Sequence, residues 1–158
     1  MATSETTDPR AELEAGAARS AYRAMNQFDN ATAALELDPQ LRELIRVRAS
    51  MLNGCAYCVD MHTKDARATG ESEQRLYAVA TWHEAPFFSP SERAALALTD
   101  ALTLLAGNPL PDAVLAEAEQ QLGADGLAAA VWIIVTINGW NRVAIAQHLQ
   151  AGEYEPAG

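Results

Sequence analysis

Two thiols and an imidazole stand close together in Cys55-Ala56-Tyr57-Cys58-Val59-Asp60-Met61-His62. Cys55 and Cys58 are three residues apart, and Cys58 and His62 four, so a helix would put all three on one face. A helix start at Cys55 would place free N–H groups and the positive end of the dipole where they favour a thiolate. An imidazole with an ordinary pKa of about 6.5 suits proton exchange near neutral pH. As a structural staple the pair is poorly placed. A bond closing four residues gains about 2 kcal/mol in chain entropy, against roughly 4 for a loop of several tens of residues. Reactivity is the stronger reading in a reducing compartment. A thiol that attacks a peroxide needs ionisation, a neighbour that takes its proton, and a second thiol that resolves the sulfenic acid. Glu43 lies twelve residues before Cys55. Two antiparallel helices joined by a short turn would bring its carboxylate to His62, orienting the ring and raising its basicity.

The local charge supports that chemistry. Between positions 42 and 67 lie Arg42, Arg46, Arg48, Lys64 and Arg67, opposed by Glu43, Asp60 and Asp65, a net of +2 in a chain of −10. A positive setting lowers a thiol pKa. Other readings stay open. The cysteines could be inert core thiols, or Cys55, Cys58 and His62 could bind zinc with Asp65 or Glu43. Structural zinc usually draws on two separated ligand pairs, and a second C-x-x-C or H-x-x-x-H is absent. His83 and His148 read as structural. Tyr57 reads as packing. Trp82, Phe87 and Phe88 read as core or interface before they read as an apolar mouth for an organic hydroperoxide, and Trp132 and Trp140 as core or subunit contact.

The elements that must position these groups are helical. Alanine makes up about a fifth of the 158 residues, which favours helix, and no strand-like alternation interrupts the 3–4 spacing of apolar residues. The pattern predicts a first helix over about Pro9 to Leu37. A second follows from Asp38-Pro39 to Asn53-Gly54, and a third from Cys55 to about Thr69. Ser72 caps a fourth over about Glu73 to Trp82. Ser89-Pro90-Ser91-Glu92 is a capping box that starts a fifth, to about Leu105. A sixth runs from Pro111 to Leu122 and stops at Gly123; a seventh, strongly apolar, runs from about Asp125 to Leu149 and reads as a central helix or an oligomer contact. The fold class expected is all-α, one domain over residues 10–150, with tails at 1–9 and 151–158.

Hydrophobic residues are 49% and charged residues 20% of the chain, which excludes disorder for its bulk. With 11 Lys and Arg against 21 Asp and Glu, nucleic acid and anionic membrane surfaces are not expected partners. Met1 to Pro9 has neither a basic region nor an apolar one, and the apolar stretch Leu127 to Trp140 reads as too short to span a bilayer. A cytoplasmic location is expected.

From Glu43 to His62 (ELIRVRASMLNGCAYCVDMH) the chain resembles the core of the alkylhydroperoxidase AhpD-like group, within the carboxymuconolactone decarboxylase superfamily; Trp82 to Leu96 (WHEAPFFSPSERAAL) resembles the same core. The likeness covers about Leu37 to Leu122. It implies an all-helical fold, a homo-oligomer (trimer or hexamer) and a thiol peroxidase reaction without metal or organic cofactor. It implies Cys58 as the peroxidatic thiol, Cys55 as the resolving thiol and proton donor, and Glu43 with His62 as the proton relay. The Cys55–Cys58 disulfide that results would be reduced by an external dithiol such as a lipoyl protein. The chain departs from the pattern at Tyr57, where the family has a second histidine. Lactone decarboxylation on the same scaffold, or a redox-responsive oligomer without catalysis, are the alternatives. Superfamily members that decarboxylate the lactone generally lack the cysteine pair.

Overall fold

Asp38 and Pro39 start the helix on which the rest of the chain is assembled. The Asp38 carboxylate accepts the Leu41 N–H at 2.9 Å, and Pro39 occupies the first helical position, where its missing N–H costs nothing. In the computed structural model, which describes Leu13 and residues 15–156, six α-helices form: α1 (Arg19–Ala33), α2 (Pro39–Asn53), α3 (Ala56–Ala68), α4 (Glu73–Ala78), α5 (Pro90–Thr103) and α6 (Asp112–Gln147). No strand occurs among the described residues.

The expected elements are present, with differences at their ends. The first helix begins at Arg19 behind a short 3-10 turn (Gly16–Ala18), and most of the segment before that turn lies outside the described residues. The helix expected to reach Trp82 tightens after Ala78 into a 3-10 turn over Val79–Thr81. The expected sixth and seventh helices abut as α6. Gly123 separates them with φ 72° and ψ 171°, a conformation that a side chain rarely adopts. The Ser89 capping box forms: Ser89 Oγ accepts the Glu92 N–H, and Glu92 accepts the Ser89 N–H at 2.7 Å.

α2 packs against α3, α5 and α6, and its apolar residues face two cores. Leu41 and Ile45 join Leu98 of α5 with Ile133 and Ile134 of α6. Leu44 and Val47 join Leu76, Val79, Trp82 and Leu96. A helix buried on two sides still needs partners for its polar groups. Asn53 Nδ2 donates to Asn138 Oδ1 at 3.0 Å and Asn141 Oδ1 at 2.8 Å, and Asn141 Nδ2 donates to Ser50 Oγ at 3.0 Å. This network fixes the end of α2 against α6. α1 lies along α6, tied by a Thr136 to Thr32 hydroxyl contact of 3.3 Å.

Contrary to the sequence reading, α6 is long and apolar enough, by length and composition, to cross a membrane. The helix continues past the apolar stretch in both directions, which the stretch alone does not show. Its polar side chains Thr136, Asn138 and Asn141 bond to α1, α2 and α5, so this is the core helix of the bundle.

Trp82 and Phe88 are buried among Leu44, Leu76 and Leu96, the packing role first read for them. Trp82 Nε1 donates to Asp100 at 3.1 Å, and Arg48 grips the same carboxylate with two bonds of 2.6 and 2.9 Å. His83 stacks on Trp82 at 3.7 Å between ring centroids. Removing Asp100 would leave the Trp82 indole N–H without its acceptor and the Arg48 guanidinium with only the Ala80 carbonyl, 3.1 Å from Nη1. Asp100→Ala is expected to lower unfolding free energy by roughly 2 kcal/mol, within the range for hydrogen bonds to a charged group that is half-buried. Urea unfolding measures this, and a loss below about 1 kcal/mol would show the pair to be solvated.

Candidate active site

The turn between α2 and α3 sets the site. Gly54 takes a left-handed conformation (φ 70°) at the end of α2, and the Cys55 N–H returns to the Ser50 carbonyl at 3.0 Å, a Schellman closure. Cys55 is then the N-cap of α3, and its sulfur accepts the Cys58 N–H at 3.3 Å. The two cysteines are joined by a disulfide, with Cα atoms 5.3 Å apart. α2 and α3 run as a hairpin: Gln40 Nε2, near the start of α2, donates to the Thr69 carbonyl at the end of α3 (3.1 Å). In that register Glu43 falls opposite His62.

The expected pairing of carboxylate and imidazole is formed. Glu43 Oε2 lies 2.9 Å from His62 Nδ1, and Glu43 Oε1 accepts from Arg46 at 2.8 Å. Both Glu43 and His62 are 6% exposed. Burial alone would raise the Glu43 pKa. The hydrogen bond and charge at His62, together with the Arg46 guanidinium, outweigh it and hold the carboxyl below its ordinary range. With Nδ1 turned to a carboxylate, the proton on that nitrogen donates to Glu43 and Nε2 is left to exchange protons elsewhere.

Cys58 and His62 both line a cavity of about 220 Å³. Its remaining walls come from Tyr22, Asn26 and Asp29 of α1, Arg46 of α2, Tyr57 and Met61 of α3, and Ile137, Trp140 and Ala144 of α6. Cys55 does not line this cavity. It borders a shallow groove with Met51, Gly54 and Val59. Cys55, the N-cap of α3 (φ −85°, ψ 94°), is bonded to Cys58 and packs with it against Ala144.

The positive setting read from the sequence also contracts. Arg42 donates to the carbonyls of Leu35 and Leu37, Arg48 to Asp100, and Arg67 to Glu73. Lys64 pairs with Asp60 at 3.1 Å. Arg46 alone of the five lines the cavity, and it is also 3.5 Å from Asp29. A count along the chain cannot see that the other four turn to local acceptors.

Trp140, read as core or subunit contact, is a wall of the cavity, in edge contact with Tyr22 at 5.5 Å. Trp132 is 50% exposed and meets Phe28 edge-on. Phe87 and His83 lie away from the site. Tyr22, Asp29 and Trp140 carry no local motif, and the sequence reading missed them as site residues.

Among the described residues, Glu43, His62 and Asp65 have ligand-type atoms within 4.8 Å of one another. The Arg46 guanidinium already neutralises Glu43, and His62 Nδ1 is taken by the same carboxylate. A cation there would meet a guanidinium. The cysteine-containing zinc set does not assemble, because both sulfurs are bonded to each other.

Residues 19–101 match the model of the carboxymuconolactone decarboxylase family. The chain belongs to this family. It is 41% identical over 122 residues to the uncharacterized protein YdfG of Bacillus subtilis, covering 77% of this chain and 83% of that one. The uncharacterized protein YnjA of Escherichia coli is 41% identical over 69 residues, 43% of this chain and 37% of YnjA. A solved protein of unknown function from Agrobacterium tumefaciens, suggested to be an antioxidant defence protein AhpD, superposes with a TM-score of 0.84 at 32% identity, covering 90% of this chain and 97% of that one. The debrominase Bmp8 has a TM-score of 0.76 at 20% identity, over 85% of this chain and 73% of Bmp8; that likeness concerns the fold. The all-α, AhpD-like architecture expected from the sequence is therefore the one found.

A carboxyl held below its ordinary pKa stabilises the fold above the unfolded-state value, near 4.3, and that contribution is lost as pH falls through the folded-state value. Glu43→Gln is expected to be less stable than wild type at pH 7 by roughly 3 kcal/mol, with the gap narrowing below about pH 4. Urea midpoints of the two proteins across that range test it. A gap that stays constant down to pH 3 would mean that the Glu43 charge carries none of the difference.

Proposed function

We propose that this protein is a thiol-dependent hydroperoxide reductase. One observation carries the reading: a disulfide-forming cysteine and a histidine face one cavity, and that histidine is held by a buried, charged glutamate. This supplies the ionisable thiol, the proton acceptor and the resolving thiol that peroxide reduction requires.

In the reduced protein, His62, oriented by Glu43, takes the proton of Cys58 directly or through a water. The Cys58 thiolate attacks one oxygen of the peroxide and the O–O bond breaks. The departing alkoxide or hydroxide takes a proton from Cys55 or His62 and leaves as alcohol or water. Cys58 is then a sulfenic acid. The Cys55 sulfur attacks Cys58 Sγ, hydroxide leaves as water, and the disulfide forms. Two electrons have passed from two thiols to the peroxide. An external dithiol, with a lipoyl protein as the expected carrier, returns them by exchange. Cys55, 2% exposed, borders the open groove and Cys58 the cavity; attack of the outside thiol on Cys55 would release Cys58 as a thiolate beside His62. The cavity walls of Tyr22, Tyr57, Ile137 and Trp140 suit the organic part of an alkyl hydroperoxide. Assembly as a trimer or hexamer and action in the cytoplasm complete the proposal; no metal or organic cofactor enters it.

Reduced wild-type protein is expected to lose both thiols and two hydrogens of mass on one equivalent of an organic hydroperoxide. Cys58→Ser should reduce peroxide turnover to background. Cys55→Ser should consume one equivalent and stop at a sulfenic acid. Thiol titration with mass spectrometry reads all three. Full turnover in Cys58→Ser would overturn the assignment of roles, and two unreacted thiols in wild type would overturn the peroxidase reading. If thiol alkylation then left a lactone decarboxylase activity intact, that chemistry would replace it.

A further inference from the structure

Beyond α6 the chain turns at His148 (φ 55°) and runs back over α3. The Gly152 N–H donates to Asp60 Oδ2 at 2.9 Å, and Lys64 Nζ, paired with the same aspartate, donates to the Tyr154 carbonyl at 2.7 Å. These backbone anchors place the Tyr154 ring. Its hydroxyl donates to Asp65 Oδ1 at 2.7 Å, and the other oxygen of Asp65 lies 3.9 Å from His62 Nδ1. That is the nitrogen Glu43 holds.

We infer that Tyr154 is a positioning residue for the histidine relay, holding the Asp65 carboxylate beside His62 so that the imidazole faces two carboxylates. The inference rests on the relay described above and names a component of it outside the 19–101 family match.

The charged and titratable groups around His62 come from each element packed there. α2 contributes Glu43 and Arg46, and α1 contributes Tyr22 across the cavity and Asp29 behind the guanidinium. α3 contributes Tyr57, Cys58, Lys64 and Asp65, and the C-terminal segment contributes Tyr154. Asp65 has a side chain 27% exposed, so without a donor it is free to turn to water. Tyr154 supplies a durable one. Burial, then the hydrogen bond to Asp65 and that carboxylate's charge, pushes its hydroxyl up to about 12, so it stays protonated across the physiological range. Taking one of two carboxylates from beside an imidazole weakens the ring's hold on a proton.

The test uses Tyr154→Phe, which keeps the ring and the backbone anchors, with Asp65→Asn as the second variant. The ring protons of the histidines are followed by NMR against pH in the disulfide form, where the two cysteines do not titrate. The His62 ring signals are expected to change over a lower pH range than in wild type in each single variant and no further in the double variant, with the His83 and His148 signals as the internal control. An unchanged His62 midpoint in Tyr154→Phe would overturn the inference. So would shifts that add in the double variant, since the two residues would then act separately. This readout needs no turnover, so a wild-type protein without peroxidase activity would sink the proposed function and leave the positioning role to be judged on its own.

Discussion

A carboxylate 6% exposed to solvent is the constraint around which this bundle is arranged. Burying an unpaired charge is so unfavourable that the group would normally take up a proton. Glu43 stays ionised because His62 and Arg46 each engage one of its oxygens. Both requirements act on the fold. His62 must come from a second helix in a fixed register, and Arg46 must lie one turn along α2. Arg46 also extends to Asp29, so the same ion pairing reaches α1 and the far wall of the cavity. The bonds that orient the His62 imidazole and the bonds that satisfy the buried Glu43 charge are the same set.

The register that aligns Glu43 with His62 is set at the turn. Gly54 permits the left-handed closure that lets α3 restart two residues after α2. Asn53, beside it, is bound to Asn138 and Asn141 of α6. Polar networks of this kind specify one arrangement when every member is satisfied. Here the network ties the cysteine turn to the core helix, so the thiols are held by α6 as well as by their own hairpin. The cavity wall contributed by Ile137, Trp140 and Ala144 belongs to that same helix. The turn and the wall therefore cannot drift independently.

What the sequence disclosed follows the range of the forces involved. Helix starts at Asp38, Ser72 and Ser89 were legible because capping is local, decided within four residues. The pairing of Cys58, His62 and Glu43 was legible because helical spacing and a short hairpin turn carry it. Three things were not. The four basic residues that turn from the site do so toward acceptors such as Asp100 and the Leu35 carbonyl, which spacing cannot reveal. That Cys55, though bonded to Cys58, stays out of the cavity lining depends on tertiary walls that spacing does not encode. Trp140 and Tyr154 reach the site from far along the chain, Tyr154 being 89 residues from Asp65, by tertiary contact alone, and no periodicity encodes that.

The family match ends at residue 101, yet one wall of the cavity and the second carboxylate's donor both come from beyond it. The matched segment carries the parts any thiol–histidine–glutamate relay needs: two sulfurs, an imidazole and a buried acid. α6 and the segment after it decide how wide the space over Cys58 is and how firmly the charges around His62 are held. Under the proposed reaction, those two properties would set which peroxide fits and at what pH the relay runs. A scaffold that hosts different functions is expected to divide in this way, with the thiol–imidazole–carboxylate set in one hairpin and the shape of the space above it decided by helices that arrive from elsewhere in the chain.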